Sequence, residues 1–439
     1  MHIVTKTLAG ATLALAAFGA PLGAQQTDSA ELSRLRRQIE ALAAEIESLK
    51  LGTEVVAQAD TSMHGLGPAA TKVYRIRQGV SLGGYGEFLY ENFAKEREDD
   101  TASNLRDQVD ALRAILYVGY KFSDRWLFNS EIEFEHASTG QGGEVSVEFA
   151  YVDFVPSDYF GLRGGMVLVP MGFVNELHEP TTFLGSTRPL TENAIIPTTW
   201  RENGIGAFGE AAGLSWRAYV INGLDAVGDG PSRAGGFAAG GLRGGRQKGA
   251  RALIENPAVV ARLDYQPGSA LQGLLVGGSA YRGSSGQGAV NATGADVDVA
   301  TTILEGHAQY RAHGLDLRGL YARATLDDVA ELNVLRALEG NASVGEELKG
   351  WYVQAGYDVL RFFGTTHQLT PYVRHERVNT QVAVPEGYAA NPASDRQVTV
   401  LGAQWQPITN IAIKADYQLH GNEANTGVDQ FNVSLGYIF

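Results

Sequence analysis

The sequence contains no cysteine and few charged residues. Charged side chains make up 19% of its 439 residues, and acidic residues outnumber basic ones by 49 to 35. The absence of cysteine excludes disulfides, thiolate zinc sites and a cysteine nucleophile. The excess of acid argues against nucleic acid as a main partner, because binding to phosphates requires a basic surface. Beyond residue 24, no apolar run reaches the roughly 18 residues that a membrane-spanning helix needs.

The N-terminus has the order of a secretory signal peptide. Lys6 precedes an apolar run from Thr7 to Ala20, and small residues follow up to Ala24. A basic start, an apolar centre and a small-residue cleavage site define such a signal. We therefore expect residues 1–24 to be removed on export.

Residues 25–51 predict a short coiled-coil stalk. Apolar residues repeat there at alternating spacings of three and four over three heptads, and they are Leu32, Leu35, Ile39, Leu42, Ile46 and Leu49. The alternative is an amphipathic helix that packs on its own chain. Residues 52–79 have no strong period and are expected to form a linker. Three heptads alone form a coiled coil of only marginal stability, so the stalk is expected to need the rest of the chain to oligomerise. The residues at its core positions favour a dimer.

From Val80 onward the apolar period changes from helical to two. Glycine, with 54 residues, has nearly twice its usual share of about 7%, which favours a sheet with many tight turns. A soluble sandwich would also alternate. The last strand, however, places Tyr437 and Phe439 at alternate positions up to the final residue. This resembles the strand that the outer-membrane barrel assembly machinery reads, and it favours a transmembrane barrel.

The alternation predicts sixteen strands. They are expected at 80–92, 108–122, 126–135, 144–155, 159–169, 202–211, 214–222, 258–266, 271–282, 297–311, 315–326, 350–363, 369–379, 397–407, 411–421 and 429–439. Short turns alternate with loops that are usually longer, which is typical of bacterial porins with a water-filled lumen. We therefore predict an all-β fold, a 16-stranded antiparallel transmembrane β-barrel over residues 80–439. Eighteen strands are the alternative, if a long loop hides a hairpin.

Four segments carry a resemblance to a known family. They are Gly-Gly-Tyr-Gly-Glu-Phe-Leu-Tyr at 83–90, Leu-Arg-Gly-Gly-Met-Val-Leu-Val-Pro-Met-Gly at 162–172, Asn-Glu-Leu-His-Glu-Pro at 175–180 and Pro-Thr-Thr-Trp-Arg-Glu-Asn-Gly at 197–204. With these segments the chain resembles the phosphate-selective porin O and P family of Gram-negative outer membranes. The resemblance implies a trimer of 16-stranded barrels, with a coiled coil in the periplasm and phosphate among the solutes.

The polar face of each predicted strand indicates which charges line the lumen. The basic residues of this set are Arg163, Arg217, Arg262, Arg318, Arg374 and Lys414, and the acidic ones are Glu87, Glu131, Glu133, Glu148 and Asp416. Because most of the acids lie on the first four strands, we expect a lateral field that orients dipolar or anionic solutes. The alternative is that these charges hydrate the wall and pair with neighbours such as Asp264 and Glu376.

Two outer loops are candidate functional elements. The third, Pro170 to Arg201, is long and proline-rich, so it is expected to fold inward and narrow the pore; its charged candidates are Glu176, His178, Glu179, Arg188, Glu192 and Arg201. A lid or a trimer contact is the alternative. One histidine is too few for a metal site there, so neither metal nor cofactor is expected. The fourth loop carries Arg243, Arg246, Lys248 and Arg251, which would attract anions or lipopolysaccharide phosphates. The alternative is a mobile, solvated loop that binds neither.

The combined interpretation is a Gram-negative outer-membrane porin with its stalk in the periplasm. It would pass small hydrophilic solutes or ions by diffusion and favour anions such as phosphate. Its expected partners are membrane lipid, lipopolysaccharide, the barrel assembly machinery and further copies of the chain, as a trimer or a dimer. No nucleophile elbow or zinc-helix motif indicates an enzyme. The alternatives are a structural protein that tethers the membrane to the cell wall, or a hydrolase carried on the barrel.

Overall fold

The computed structural model describes Glu40 and residues 62–137, 142–157 and 159–439. The predicted signal peptide, residues 52–61 of the predicted linker and, apart from Glu40, the predicted stalk lie outside the described residues. None of the helices in the described part of the chain has the length and apolar composition that crossing a membrane requires.

Sixteen antiparallel strands form a closed barrel, in which each strand pairs with its neighbours in sequence. The strands are β1 Gly79–Phe93, β2 Gln108–Lys121, β3 Trp126–Glu135, β4 Val145–Ser157, β5 Phe160–Leu168, β6 Arg201–Ala211, β7 Leu214–Asn222, β8 Pro257–Tyr265, β9 Leu274–Ser284, β10 Ala300–Ala312, β11 Leu315–Leu326, β12 Glu347–Tyr357, β13 Gln368–Ala383, β14 Asp395–Ile408, β15 Ile411–Asn422 and β16 Gln430–Ile438. β1 closes the barrel against β16, with Tyr85 opposite Ile438. The predicted 16-stranded antiparallel barrel is confirmed.

Each strand has an apolar outer face and an inner face that is buried. In β8, Val259 and Leu263 are exposed on the outside, whereas Val260 and Arg262 are buried on the inside. Alternate residues of a strand point to opposite faces, and an apolar outer band is the surface that a barrel presents to lipid.

The inner face changes character along the strands. In β11, Asp316 and Arg318 lie near the short turn, and Leu320 and Ala322 follow towards the outer loops. These apolar side chains belong to a buried cluster that includes loop residues such as Trp200, Phe237, Leu242, Val329 and Leu332. On β11 the turn-side half of the inner face is therefore charged, whereas its outer half is apolar and packs against loop residues.

Two outer loops supply much of this packing. Loop 3 comprises residues 169–200, between β5 and β6, and loop 4 comprises residues 223–256, between β7 and β8. Leu242 N of loop 4 donates to Ala194 O of loop 3 over 2.9 Å. On the other side of the barrel, Thr380 of β13 donates to Ala239 O of loop 4 over 2.5 Å. Loop 4 therefore crosses the outer opening above loop 3.

The helices of the described residues are short. They are α1 Lys72–Arg75, α2 Thr191–Ala194 in loop 3 and α3 Val329–Leu335 in the loop after β11; 3₁₀ turns occur at Arg243–Gly245, Gly268–Leu271, Gly340–Ala342, Val359–Phe363 and Pro392–Ser394.

Residues 62–78, here called the inner segment, lie inside the barrel although they were predicted to be part of a linker. Asn129 of β3 donates to Ala70 O over 2.9 Å, and Tyr74 donates to Asp153 Oδ2 of β4 over 2.7 Å. Lys121 of β2 donates to Tyr74 O over 3.1 Å. Small residues allow this close approach, since a Cβ added to Gly119 would lie 2.7 Å from the side chain of Val73.

Candidate functional site

Loop 3 is closed at its base by one asparagine. Asn175 Nδ2 donates to Val169 O over 2.6 Å and to Trp200 O over 2.9 Å, and its Oδ1 accepts from Trp200 N over 2.5 Å. The indole of Trp200 is fully buried, and its ring centroid lies 5.0 Å from that of Tyr281 on β9. These contacts hold both ends of the loop together at the barrel wall.

The predicted basic residues of the wall bind the backbone of loop 3. Lys414 Nζ donates to Phe183 O and Gly185 O, both over 3.0 Å. Arg318 donates to Thr182 O over 2.6 Å. Further donors of this kind are Arg374 to Thr187 O and Arg262 to Gly172 O. Four of the six basic candidates therefore attach loop 3 to the wall, on β8, β11, β13 and β15.

Acidic residues of the wall complete this attachment by accepting from loop 3. Asp416 Oδ2 accepts from Ser186 N over 2.7 Å, and Glu376 Oε2 accepts from Leu190 N over 2.6 Å. A buried backbone without regular structure needs partners for its polar groups. The charged wall supplies those partners, so loop 3 lies across the interior as an ordered segment.

Most wall charges also have an oppositely charged neighbour. Among the basic candidates, the pairs are Arg163 with Asp153 at 2.9 Å, Arg217 with Asp264 at 2.5 Å, Arg318 with Asp316 at 3.3 Å and Arg374 with Glu376 at 3.3 Å. Among the acidic ones, Glu87 and Glu133 both contact Arg113, at 3.0 and 3.5 Å. These candidates are therefore engaged in ion pairs within the barrel.

The carboxylates of loop 3 are buried and have specific partners. Glu176 lies 3.6 Å from Arg217 and 3.8 Å from Arg262. Glu192 accepts from Val174 N and from the hydroxyl of Tyr352, both over 2.6 Å. Burial raises the pKa of Glu176 and of Glu192, while these partners act in the opposite direction.

Glu179 joins loop 3 to the inner segment. Its Oε1 accepts from Ala69 N over 3.0 Å and from Ala70 N over 3.1 Å. Burial raises the pKa of Glu179 to about 7, and the two backbone donors oppose this shift. A Cβ added to Gly67 would lie 2.4 Å from the Glu179 carboxyl carbon, so the glycine permits the approach.

His178 lies between loop 3 and the wall. Its Nδ1 is 2.9 Å from Asn175 O, and its Nε2 is 3.1 Å from Glu131 Oε1 and 3.6 Å from Glu148 Oε2. Ligand atoms of Glu131, Glu148 and His178 lie within 4.8 Å of one another. Burial lowers the pKa of His178, but the two carboxylates outweigh it, so the net shift is upward. These two wall residues, rather than Glu176 and Glu179, are the acidic neighbours of the imidazole.

Four arginines, here called the arginine cluster, meet where loop 3 contacts loop 4: Arg188, Arg201, Arg243 and Arg246. Arg188 donates to Thr199 Oγ1 over 3.0 Å, and Arg201 donates to Glu148 Oε1 over 2.8 Å. Burial and the positive charges of Arg188 and Arg113 lower the pKa of Arg243 to about 10. Burial, Arg243 and Arg201 lower the pKa of Arg246 to about 9. Positive charge is therefore concentrated at this point.

The other two basic candidates of loop 4 lie apart from the cluster. Lys248 pairs with Glu144 at 3.2 Å, and Arg251 is exposed.

Two cavities open on the side of the short turns. One has a volume of about 840 Å³, and its charged lining residues are Arg311, Arg318, Arg361, Asp316 and Asp358. The other has a volume of about 490 Å³, and its charged lining residues include Arg217, Arg262, Asp264, Glu176 and Glu210. Ser62 of the inner segment and Phe173 and Leu177 of loop 3 line both cavities, so the start of the segment and loop 3 lie between them.

Comparison with known proteins places the chain among relatives and gives its fold. It is 37% identical over 400 residues to an uncharacterized protein of Aquifex aeolicus (strain VF5). The aligned region covers 89% of this chain and 87% of that protein. The chain belongs to the same family as that protein. No protein-family model matches the sequence.

Solved outer-membrane proteins have the same barrel. Salmonella typhi OmpF, in complex with daunomycin, superposes with a TM-score of 0.52 and 13% identity, over 82% of this chain and 97% of that one. A loop-deletion mutant of OmpT, an outer-membrane protein of Vibrio cholerae, superposes with a TM-score of 0.50 and 12% identity, over 82% and 99%. At such identities the likeness establishes the porin fold of this family member and no more.

Sequence reasoning missed several residues that build the interior. The inner segment has no periodicity, so its contacts with β2, β3 and β4 could not be predicted. Asn175 and Trp200 lie in segments that carry the family resemblance, but only the folded chain shows that one clamps the other.

Proposed function

We propose that the protein is an outer-membrane channel through which small hydrophilic solutes diffuse passively, past a constriction formed by loop 3. The observation that carries the proposal is the attachment of loop 3 across a barrel of porin fold. Lys414 and Asp416 of β15 hold the far end of this loop, whereas its base lies between β5 and β6. A segment fixed on both sides of the interior leaves less room for solutes than the empty barrel would.

Anions such as phosphate are the proposed favoured solutes. In the described part of the chain, three buried nitrogens of the arginine cluster have no hydrogen-bond partner: Arg188 Nη2, Arg201 Nε and Arg243 Nη1. Unsatisfied guanidinium donors are costly when buried and bind phosphate or carboxylate oxygens well. The resemblance to phosphate-selective porins supports the same solute class. Lipopolysaccharide phosphates are a second anionic partner that the basic residues of loop 4 could bind.

Ion selectivity tests the anion preference. In planar bilayers under a salt gradient, the reversal potential of the unmodified protein is expected to show that anions cross more readily than cations. The double variant R188A/R243A is expected to shift that potential towards cation preference, because it removes two positive charges from one place. R251A changes an exposed arginine of loop 4, the loop that contains Arg243, and is expected to leave the potential unchanged. Equal potentials for all three proteins would contradict the anion proposal.

A second assay tests the channel itself. Proteoliposomes in solutes of graded size should swell with small sugars and amino acids and not with larger ones. Vesicles that never swell would refute the channel.

The proposed assembly follows the same interpretation. The chain is proposed to form a homotrimer in the outer membrane, with the stalk in the periplasm and the last strand recognised by the barrel assembly machinery. Within this strand Tyr437 lies opposite Gly86, and Phe439 N donates to Gly84 O over 2.9 Å. Cross-linking in native membranes tests the proposed homotrimer and should give a trimer band.

A further inference from the structure

The environment of His178 calls for a positive charge between three side chains. Nδ1 of the imidazole is 2.9 Å from the backbone oxygen of Asn175, so this nitrogen carries a hydrogen and donates it. In the neutral ring Nε2 is then an acceptor. Yet the two atoms nearest to Nε2 in this group are carboxylate oxygens, of Glu131 and Glu148, at 3.1 and 3.6 Å. Three acceptors that face one another need either a ring proton or a metal ion among them.

The carboxylates have free coordinating atoms at this point. Within the described residues, Glu131 Oε2 and Glu148 Oε2 are buried and have no hydrogen-bond partner. The other oxygen of Glu148 accepts from Arg201 over 2.8 Å. A single ring proton satisfies one acceptor, whereas buried carboxylate oxygens without partners are costly. The group thus has more ligand capacity than its protein neighbours use.

The spacing fits a small transition-metal site. Zinc bonds to imidazole nitrogen and carboxylate oxygen are about 2.0–2.2 Å long in tetrahedral sites, so two ligand atoms lie about 3.3 Å apart. The two distances from His178 Nε2, 3.1 and 3.6 Å, lie on either side of this value. The bond from Nδ1 to a backbone carbonyl is the usual way in which a protein orients a metal-binding histidine.

We propose that Glu131 of β3, Glu148 of β4 and His178 of loop 3 bind a divalent transition-metal ion of the zinc type. A nitrogen ligand beside two carboxylates suits zinc better than calcium or magnesium, which prefer oxygen alone. A water molecule would supply the fourth ligand. The ion would cross-link loop 3 to β3 and β4, in addition to its attachment at Lys414 of β15.

Metal content of the untagged protein tests this site. Glu131, Glu148 and His178 are at most 2% exposed, so zinc is supplied while the urea-unfolded chain refolds, and loosely bound metal is then removed by dialysis. Mass spectrometry of the metal should find one zinc per chain. H178A and E131Q should lower zinc affinity by more than about 10-fold, because even outer partners of a metal ligand change affinity by about 10- to 100-fold.

H307Q is the matched control. His307 is also buried between two carboxylates, Glu305 at 2.7 Å and Asp264 at 2.9 Å. Neither carboxylate has a free buried oxygen in the described structure, so this variant should keep its zinc. Zinc that persists in H178A would show binding elsewhere on the chain and would overturn the proposal.

A measurement on the unmodified protein avoids dependence on variants. Refolding with Co²⁺ should give the visible absorption bands of cobalt bound to nitrogen and oxygen in a low-symmetry site. A folded barrel that shows neither these bands nor stoichiometric zinc would assign the positive charge to a ring proton on His178 and refute the metal site.

Discussion

A variant in which a glycine–serine chain of equal length replaces the inner segment is expected to conduct several times more current per channel than the unmodified protein. Residues 62–78 occupy the turn-side half of the interior against β2, β3 and β4. Ser62 of this segment lies between the two cavities, together with Phe173 and Leu177 of loop 3. A flexible chain without the buried Leu66 and Val73 loses the apolar contacts that keep the segment against the wall. Water and ions can then fill that volume.

Single-channel recording in planar bilayers measures this effect. A matched control replaces residues 292–296, which are exposed in an outer loop, with the same type of chain and should leave the conductance unchanged. E179A should give a smaller increase, because it leaves two backbone donors, Ala69 N and Ala70 N, without their acceptor. Each buried donor without a partner costs about 1–3 kcal/mol. If the variant with the replaced inner segment had the same conductance as the unmodified protein, the solute path would not pass the inner segment.

The variant W200A is expected to lose about 3–5 kcal/mol of unfolding free energy, the usual cost of truncating a buried tryptophan. Trp200 is fully buried at the end of loop 3 and contacts the ring of Tyr281. Its backbone is clamped by Asn175. Loss of the indole leaves a cavity beneath the clamp, so the base of loop 3 becomes mobile. Channel recordings of W200A should accordingly show more current noise.

Urea unfolding in lipid vesicles, followed by intrinsic fluorescence, measures the stability loss. W200F keeps most of the buried area and should lose less. W126A removes a half-exposed indole that lies opposite Phe154 on the lipid side, with ring centroids 4.7 Å apart, and should cost less than W200A. If W200A were as stable as W126A, the packing of loop 3 would not depend on Trp200.

Period-two alternation was sufficient to predict the barrel. β3 and β11 begin and end at the predicted residues, 126–135 and 315–326. The prediction for β12 extended too far, to 363, because the apolar run after Tyr357 continues the pattern. In the structure Val359–Phe363 forms a 3₁₀ turn, and Phe362 and Phe363 are exposed. A local pattern cannot distinguish an apolar strand from an apolar turn at the membrane surface.

The interior was harder to predict because its contacts are distant in sequence. Arg262, Arg318 and Lys414 bind loop 3 in the structure, but strand parity gives no indication of these partners, which follow from the closed barrel alone. One signal was available for the apolar outer half. In β8, Val259 and Val260 are adjacent, so an apolar side chain points inward as well as outward, which indicates a packed interior at that level.

The seam between β1 and β16 restricts the order in which this molecule can fold. β16 closes against β1, and there Phe439 N donates to Gly84 O over 2.9 Å while Phe439 O accepts from Gly84 N over 3.0 Å. A cylinder that closed early would admit loop 3 only through the outer mouth, where loop 4 lies across it. The interior must therefore be filled before or while the wall is joined. Slow steps in refolding should accordingly reflect entry of loop 3 and the inner segment, rather than the pairing of neighbouring strands.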